Sequence, residues 1–394
     1  MANIAQQFAL QITIGDVFMK KTARISRKMR ISLRRLFIIL LVWMTINSVM
    51  FFLGYTYLSS RAPAVANSGD IWWDYSVILL STAMAGLIGG PFLIFDIQPR
   101  FRKQPYWMGI LYTGFMFLLI YLLISFAVSS VYVAHDLGLS LFRKEVLNTV
   151  LRSFITAPQW SNLIFWTLLV AGTQFMLQIN EKFGPGVMRN MILGKYHSPK
   201  EETRIFMFLD LKNSTGVAER LGHLDYYHLL NACFADITDP VINRKGEIYQ
   251  YVGDEVVISW KLQRGLEEAN CLHCFFEIQE RLRQKAPKYR ERFRLVPEFK
   301  AGVHYGQVTV GEIGLVKRDI VFTGDVLNTT SGIQESCNAH NTNLLISSDL
   351  LRVIGMRPEF ETTPIGKISL KGRRKRVAVA ALTTKKEPDT LKPD

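Results

Sequence analysis

Hydrophobic positions are distributed unevenly along this chain. Before residue 180 they gather in four long runs, 36–58, 76–95, 106–132 and 163–179, each with few or no charges inside. A helix needs about 20 apolar residues to cross the hydrocarbon core of a bilayer, and in that setting it satisfies its own backbone polar groups. The runs therefore predict four transmembrane helices. Core helices of a soluble domain are the alternative, and the length of the runs and their confinement to one half of the chain argue against it. From residue 204 onward the pattern changes to strand-like and helix-like segments in alternation, over a length typical of one domain.

This pattern divides the chain into a basic N-terminal segment (1–35), a transmembrane region (36–179), a polar connector punctuated by Gly and Pro (180–203), an α/β domain (204–382) and a disordered tail (383–394). Lys20, Lys21, Arg24, Arg27, Lys28, Arg30, Arg34 and Arg35 precede the first run, and Arg100, Arg102 and Lys103 follow the second, whereas the loop between them has only Arg61. By the positive-inside rule, the N-terminus and the C-terminal half are both expected in the cytoplasm, in a multi-pass protein of the plasma (inner) membrane. The third loop, with Arg143, Lys144 and Arg152, dissents mildly, and residues 137–154 read as an interfacial amphipathic helix.

Charge and cysteine content narrow the function classes. The formal net charge is +14, but much of it flanks the apolar runs, where topology and anionic lipid account for it. No nucleic-acid-binding motif accompanies it, so a nucleic-acid partner is not expected. Cys233, Cys271, Cys274 and Cys337 all fall in the half assigned to the reducing cytoplasm, which argues against disulfides. Cys271 and Cys274 have the spacing of half a zinc site, but no second pair follows, and with His273 they sit in a helical apolar pattern that reads as core.

Candidate chemistry lies in two stretches. Residues 205–209 form a continuous apolar run, expected to be a central strand, that ends in Asp210 and passes through Lys212, Asn213, Ser214, Thr215 and Gly216 into a helical pattern. Asp210 could be a helix cap. Alternatively, the free amides of the turn suit phosphate, and the carboxylate suits a divalent cation that the phosphate also binds. In QYVGDEVVISW (250–260) two strand patterns flank Gly253-Asp254, which predicts a hairpin with a carboxylate at its tip. If that hairpin lies beside the first strand, Asp254 arrives near Asp210, and two carboxylates with phosphate oxygens suit magnesium. Glu255, next along the strand, is expected on the opposite face in a structural role.

LDLKNST, YVGDE, AGVHYGQVTVGEIG, FTGDVLNTTSGIQ and SLKGR, in that order, resemble the motifs of the class III nucleotidyl cyclases, over 204–382. The four-span anchor resembles that of membrane-bound bacterial members. The resemblance implies an α+β ferredoxin-like catalytic domain, working as a homodimer on a nucleoside triphosphate to make cyclic AMP or cyclic GMP. It implies that Asp210 and Asp254 of one subunit, with the Leu211 carbonyl, hold two Mg²⁺ or Mn²⁺ ions. It further implies that the amides of Lys212, Asn213, Ser214 and Thr215 receive the β- and γ-phosphates. Asn328 of the partner subunit corresponds to the family's ribose-orienting Asn, and Lys371 to its phosphate-binding Lys.

Three positions depart from the family pattern. Gly332 stands where an arginine usually stabilises the reacting phosphate, a contribution worth about 10³–10⁵ in rate in comparable phosphoryl transfers. Arg318 or the KGRRKR run beginning at Lys371 could cover that loss. The base-reading pair is Gln250 and Val321, which matches neither the adenylyl nor the guanylyl pattern. Gln can donate or accept and Val does neither, so ATP is favoured over GTP only through the likeness to bacterial members. Two rival functions are a diguanylate cyclase, which would need Gly before and Phe after the Gly-Asp-Glu step, and a degenerate cyclase module that signals without turnover.

Overall fold

A computed structural model describes residues 27–61, 70–101, 104–183, 194–316, 318–370 and 376–385. The chain divides into two units, Met29–Ile192 and one that contains Leu193–Asp394, which are treated separately. The first consists of α1 (Arg27–Arg61), α2 (Ile71–Pro91), α3 (Tyr106–Leu137), α4 (Lys144–Ser153) and α5 (Ala157–Phe183). Four segments, Met29–Arg61, Ile71–Ile97, Trp107–Leu137 and Ala157–Asn180, are long and apolar enough to cross a membrane. They coincide with the four runs. Asp70 caps α2 by accepting from the Trp72 amide at 2.9 Å. At its other end Pro91 lacks the amide that a regular α-turn would use, and a π-helical turn, Phe92–Ile97, follows.

Trp43 is fully buried in α1, donates from Nε1 to Thr173 Oγ1 in α5 at 3.0 Å, and meets Phe117 of α3 and Trp166 of α5 edge-on. Large apolar side chains such as Phe37, Leu53, Leu87, Leu123 and Leu168 point outward, as lipid-facing positions do. The region expected to hold an interfacial helix contains α4, whose Val146 and Val150 are buried on one face while Leu147 and Leu151 are exposed.

The second unit is built on a mixed sheet. Its elements are β1 (Lys200–Leu211), α6 (Ser214–Asn243), β2 (Glu247–Val252), β3 (Glu255–Lys261), α7 (Asn270–Gln284), α8 (Ala286–Phe293), β4 (Phe299–Ile313), β5 (Asp319–Thr323), α9 (Asp325–Glu335), β6 (Leu344–Ser347), α10 (Ser348–Ile354), β7 (Phe360–Ile368) and β8 (Val377–Thr384). The strand order is β2-β3-β1-β4-β6-β8-β7, and β5 folds back on β4. The pairings of β1 with β3, β1 with β4 and β2 with β3 are antiparallel. This β-α-β-β-α-β order is the ferredoxin-like arrangement. Among the described residues, only β4 and β6 run parallel.

The apolar run at the head of the domain is a central strand because both of its faces are covered. Ile205, Met207, Leu209 and Leu211 enter the core under α6 and α7, together with Leu229, Ile237, Phe275 and Ile278. Phe206 and Phe208 enter a second core with Val257, Val310 and Val326. Cys233, Cys271, Cys274 and Cys337 are buried, free thiols within this packing. Burial pushes Cys271 up to about 12, so it is an inert packing group.

The second face matters for the site because α9 lies on it. The contact is so close at Gly302 of β4 that a Cβ there would stand 2.7 Å from the Thr330 carbonyl oxygen and 2.8 Å from the Gln334 Cα, and closer still to the Gln334 nitrogen. These are backbone atoms and cannot rotate away. Gly302→Ala is therefore expected to cost about 2–3 kcal/mol, read as a lowered thermal midpoint.

Candidate active site

The even-numbered side chains of β1 face α9, and the last of them is Asp210. The strand ends there because Leu211 passes into Lys212 and Asn213, which takes a left-handed backbone (φ 52°, ψ 39°) and starts α6 with no side-chain cap on its first turn. The amide of Lys212 donates to the Glu298 carbonyl at 2.9 Å. What Lys212 offers an anion is thus its ammonium, 3.6 Å from the Glu298 carboxylate. Beside this turn opens a cleft of about 250 Å³, lined among others by Lys212, Asn213, Gly216, Arg220 and Pro297.

Asp254 reaches the same place from the β2–β3 hairpin. Val252 pairs with Glu255, which leaves Gly253-Asp254 as a two-residue loop, and Gly253 has the positive φ (61°) that such a loop needs at its first position. β3 pairs antiparallel with β1, with Leu209 opposite Val256. The two carboxylates are close enough to interact: burial and the negative charge of Asp254 raise Asp210 above the usual carboxylate range, against the pull of Lys300.

Four further residues meet the carboxylates, and sequence reasoning named only one of them, for a different role. Lys300 is opposite Asp210 in the β1–β4 register and is 8% exposed; its Nζ stands 3.2 Å from Asp210 Oδ2. Gln334 of α9, buried, donates from Nε2 to the same oxygen at 2.9 Å. Tyr226 of α6 bonds Ser214, and burial with the nearby charge of Asp254 pushes its hydroxyl up to about 12. The fourth is Glu255. Continuing the β1–β3 register places it across from Asp210, on the site face, and this corrects the expectation of an opposite-facing, structural residue. The alternation rule fails because Asp254 is a loop residue, so the pleat is counted from β1 and not from the turn.

Burial, then the charges of Asp210, Asp254 and Glu335, push Glu255 up to about 7. A carboxyl whose pKa is raised by folding favours the folded state fully below its unfolded value, near 4.5, and loses that advantage as pH rises through about 7. Glu255→Gln is accordingly expected to gain stability relative to the parent chain between pH 4.5 and 7. Thermal midpoints of both chains across that range, without divalent cations, check this.

The remaining candidates are placed apart from the carboxylates. Asn328 is exposed on α9, away from the face that carries buried Val326, Thr330 and Gln334. Gln250 is exposed in the edge strand β2. Val321 of β5 is half-buried opposite Gly311. Arg318 is exposed at the end of the β4–β5 hairpin. Lys371 and the basic run up to residue 375 lie outside the described residues.

The candidate ligand atoms of Asp210, Asp254 and Leu211 are all oxygens, which fits a hard divalent cation such as Mg²⁺ or Mn²⁺. The like charges pushing Asp210 and Glu255 upward are what such a cation would offset. Among the described residues no set of three or more His, Cys, Asp or Glu side chains is gathered in metal-holding geometry. Asp210 and Asp254 with the Leu211 carbonyl would make an incomplete shell, suited to an ion whose other ligands come with a phosphate.

Comparison with known proteins agrees with this geometry. Residues 196–383 match the family model of the Adenylate and Guanylate cyclase catalytic domain. The chain is 35% identical over 223 residues to Adenylate cyclase 2 of Rhizobium meliloti (strain 1021), an alignment covering 56% of this chain and 61% of that protein. It is 21% identical over 183 residues to the adenylate cyclase of Anabaena cylindrica, covering 44% of this chain and 35% of that one. The chain thus spans less than two thirds of these relatives. Among solved structures, a bacterial light-regulated adenylyl cyclase superimposes with a TM-score of 0.50 at 16% identity, covering 58% of this chain and 67% of that one, a likeness of fold. Residues 196–383 thus match the adenylate and guanylate cyclase catalytic domain family, and motif order and fold agree with that match.

Proposed function

We propose that this chain is a membrane-bound nucleotidyl cyclase that converts ATP to 3′,5′-cyclic AMP and pyrophosphate at a site shared by two copies, for intracellular signalling. The observation that carries this reading is the meeting of Asp210 and Asp254 at the end of β1, beside the uncapped first turn of α6. Asp210, Asp254 and the Leu211 carbonyl would hold two Mg²⁺ or Mn²⁺ ions. When bound, such ions supply Lewis acidity for the ribose 3′-hydroxyl and charge neutralisation for the triphosphate.

The chain's own residues do the rest. Lys300 and Gln334 grip one oxygen of Asp210 and fix its carboxylate beside Asp254. The amides of Asn213, Ser214 and Thr215, with the Lys212 ammonium, receive the β- and γ-phosphates at a helix N-terminus whose dipole favours anions. Asn328 orients the ribose and Lys371 binds phosphate from the partner copy. A homodimer is supported by the exposure of Asn328 on α9, away from the face that packs Val326 and Thr330 onto the sheet, where a second copy can reach it. Gln250 and Val321 read the base.

The four apolar helices anchor the chain in a lipid bilayer. The Lys and Arg distribution orients the N-terminus and the catalytic domain toward the cytoplasm, at the plasma (inner) membrane. A second reading, a degenerate module that binds nucleotide without turning it over, is favoured by one feature, the absence of a side chain at Gly332. Guanylate cyclase activity is the variant of the first reading in which Gln250 accepts guanine.

Membranes carrying the full chain, given ATP or GTP separately with Mn²⁺ or Mg²⁺, test these readings by chromatography of the products. Cyclic AMP from ATP supports the first, predominant cyclic GMP from GTP moves the assignment to guanylate cyclase, and no turnover of either leaves the degenerate module.

A further inference from the structure

Two charged side chains are buried among the described residues of the catalytic unit. Lys300 belongs to the carboxylate site. The other, Arg204, is 1% exposed, lies six residues before Asp210 in β1 and has no part in the reaction outlined above. Burying a guanidinium is expensive unless its donors are matched.

Its partners come from three other places in the sheet as well as from its own strand. Within β1, Nη1 donates to Glu202 at 2.9 Å. Nη2 donates to Ser259 Oγ of β3 at 3.1 Å and pairs with Glu247 of β2. The guanidinium carbon lies 4.7 Å from the centre of the Phe322 ring of β5, a cation–π distance. Glu202 in turn accepts from the Tyr196 hydroxyl at 3.2 Å.

Two of the strands so joined are those that carry the base-reading positions. Gln250 is three residues beyond Glu247 in β2, and Val321 precedes Phe322 in β5. These strands share no hydrogen-bond ladder: β2 is an edge strand separated from β4 by β3 and β1, and β5 pairs with β4. Their separation is therefore a matter for side chains.

Tyr249 joins them as well. The pairing of β2 with β3 shifts register between Ile248 and Gln250, which makes Tyr249 the extra residue of a bulge. Its hydroxyl accepts from the Phe322 amide at 3.2 Å, and the two rings meet edge to face at 4.7 Å. Tyr249 from β2 and Arg204 from β1 thus both grip Phe322.

We propose that Arg204 is a positioning residue for base selection: by bridging Glu247 of β2 and Phe322 of β5, it holds Gln250 and Val321 at the spacing that one purine requires. This rests on the cyclase reading and names a determinant of its substrate choice. Arg suits the task because its planar fork bonds two strands at once while its face meets a ring. Lys, with a single ammonium, cannot do both.

The test compares the full-length chain in nanodiscs with Arg204→Lys, Arg204→Met and Phe322→Leu. The measurement is the ratio of kcat/KM for ATP to that for GTP, alongside Mn²⁺ affinity by electron paramagnetic resonance. Arg204→Met is expected to change the ratio by about fivefold or more, mainly through KM, with Arg204→Lys between it and the parent and Mn²⁺ affinity unchanged. A purely structural role would lower both activities by one factor, in line with the folded fraction, and that result overturns the proposal. If Arg204→Met fails to fold, Arg204→Lys and Phe322→Leu carry the same comparison. If the parent chain turns over neither nucleotide, the cyclase reading fails on its own. The ratio of affinities for fluorescent ATP and GTP analogues then decides about Arg204, an unchanged ratio rejecting it.

Discussion

Asp254→Asn is expected to lower cyclic nucleotide formation by about 10³-fold while leaving the chain folded. On the proposed reading, the size follows from losing a carboxylate that would hold a divalent cation against the reacting phosphate, where one preorganised electrostatic contact is worth about 10²–10³ in rate. The fold should survive because Asp254 sits in a two-residue loop at a hairpin tip. Its negative charge also works against Asp210 and Glu255, raising both. Asn keeps the shape and removes that repulsion, so without metal the variant should melt at the same temperature as the parent or higher. Turnover and thermal midpoint measured on one preparation separate the two effects. Retention of activity within tenfold of the parent would show that Asp254 is not a ligand and that Asp210 and Glu255 form the site.

The second large effect concerns Gly332. Restoring an arginine to that position should raise kcat by about tenfold or more, since a catalytic Arg is worth about 10³–10⁵ in related phosphoryl transfers. The structure adds a condition to this. A Cβ at Gly332 would stand 3.0 Å from Leu370 Cδ2 and 3.3 Å from Leu370 Cβ. Leu370 is buried in a small cluster with Ile333, Cys337, Leu345 and Ile368, and it immediately precedes Lys371. An arginine placed there alone pushes on the segment that leads to a proposed phosphate ligand. The cleaner experiment is Gly332→Arg combined with Leu370→Ala, compared with Leu370→Ala alone. A rate at or below that control means another cation, with Arg318 and the run from Lys371 as candidates, already acts on the phosphate.

Local features of the fold were legible in the sequence. The four membrane-length helices follow from run length. The central position of β1 follows from five consecutive apolar residues, which only a strand covered on both faces accommodates. The Gly253-Asp254 hairpin follows from turn chemistry. The carboxylate pair followed from one conditional step, that the hairpin lies beside β1, and the β1–β3 pairing meets that condition.

The surroundings of that pair were not legible, and the reason is register. Alternation counted from Asp254, a loop residue, puts Glu255 on the wrong face, whereas its position is set by the partner strand. Lys300 and Gln334 come from β4 and α9, far along the chain, and nothing around either marks it as a neighbour of Asp210. Arg204 looks in sequence like the polar edge of an apolar run. In the fold it is the buried junction of β1, β2, β3 and β5.

Run length, periodicity and turn residues act over a few residues of chain, so the local pattern by itself determined four apolar helices, a central strand ending in Asp210 and a hairpin presenting Asp254. Which side chains hold Asp210, which face Glu255 takes and what spaces β2 from β5 were decided by strand pairing and helix docking. Those bring together residues whose separation along the chain carries no information about their distance in space.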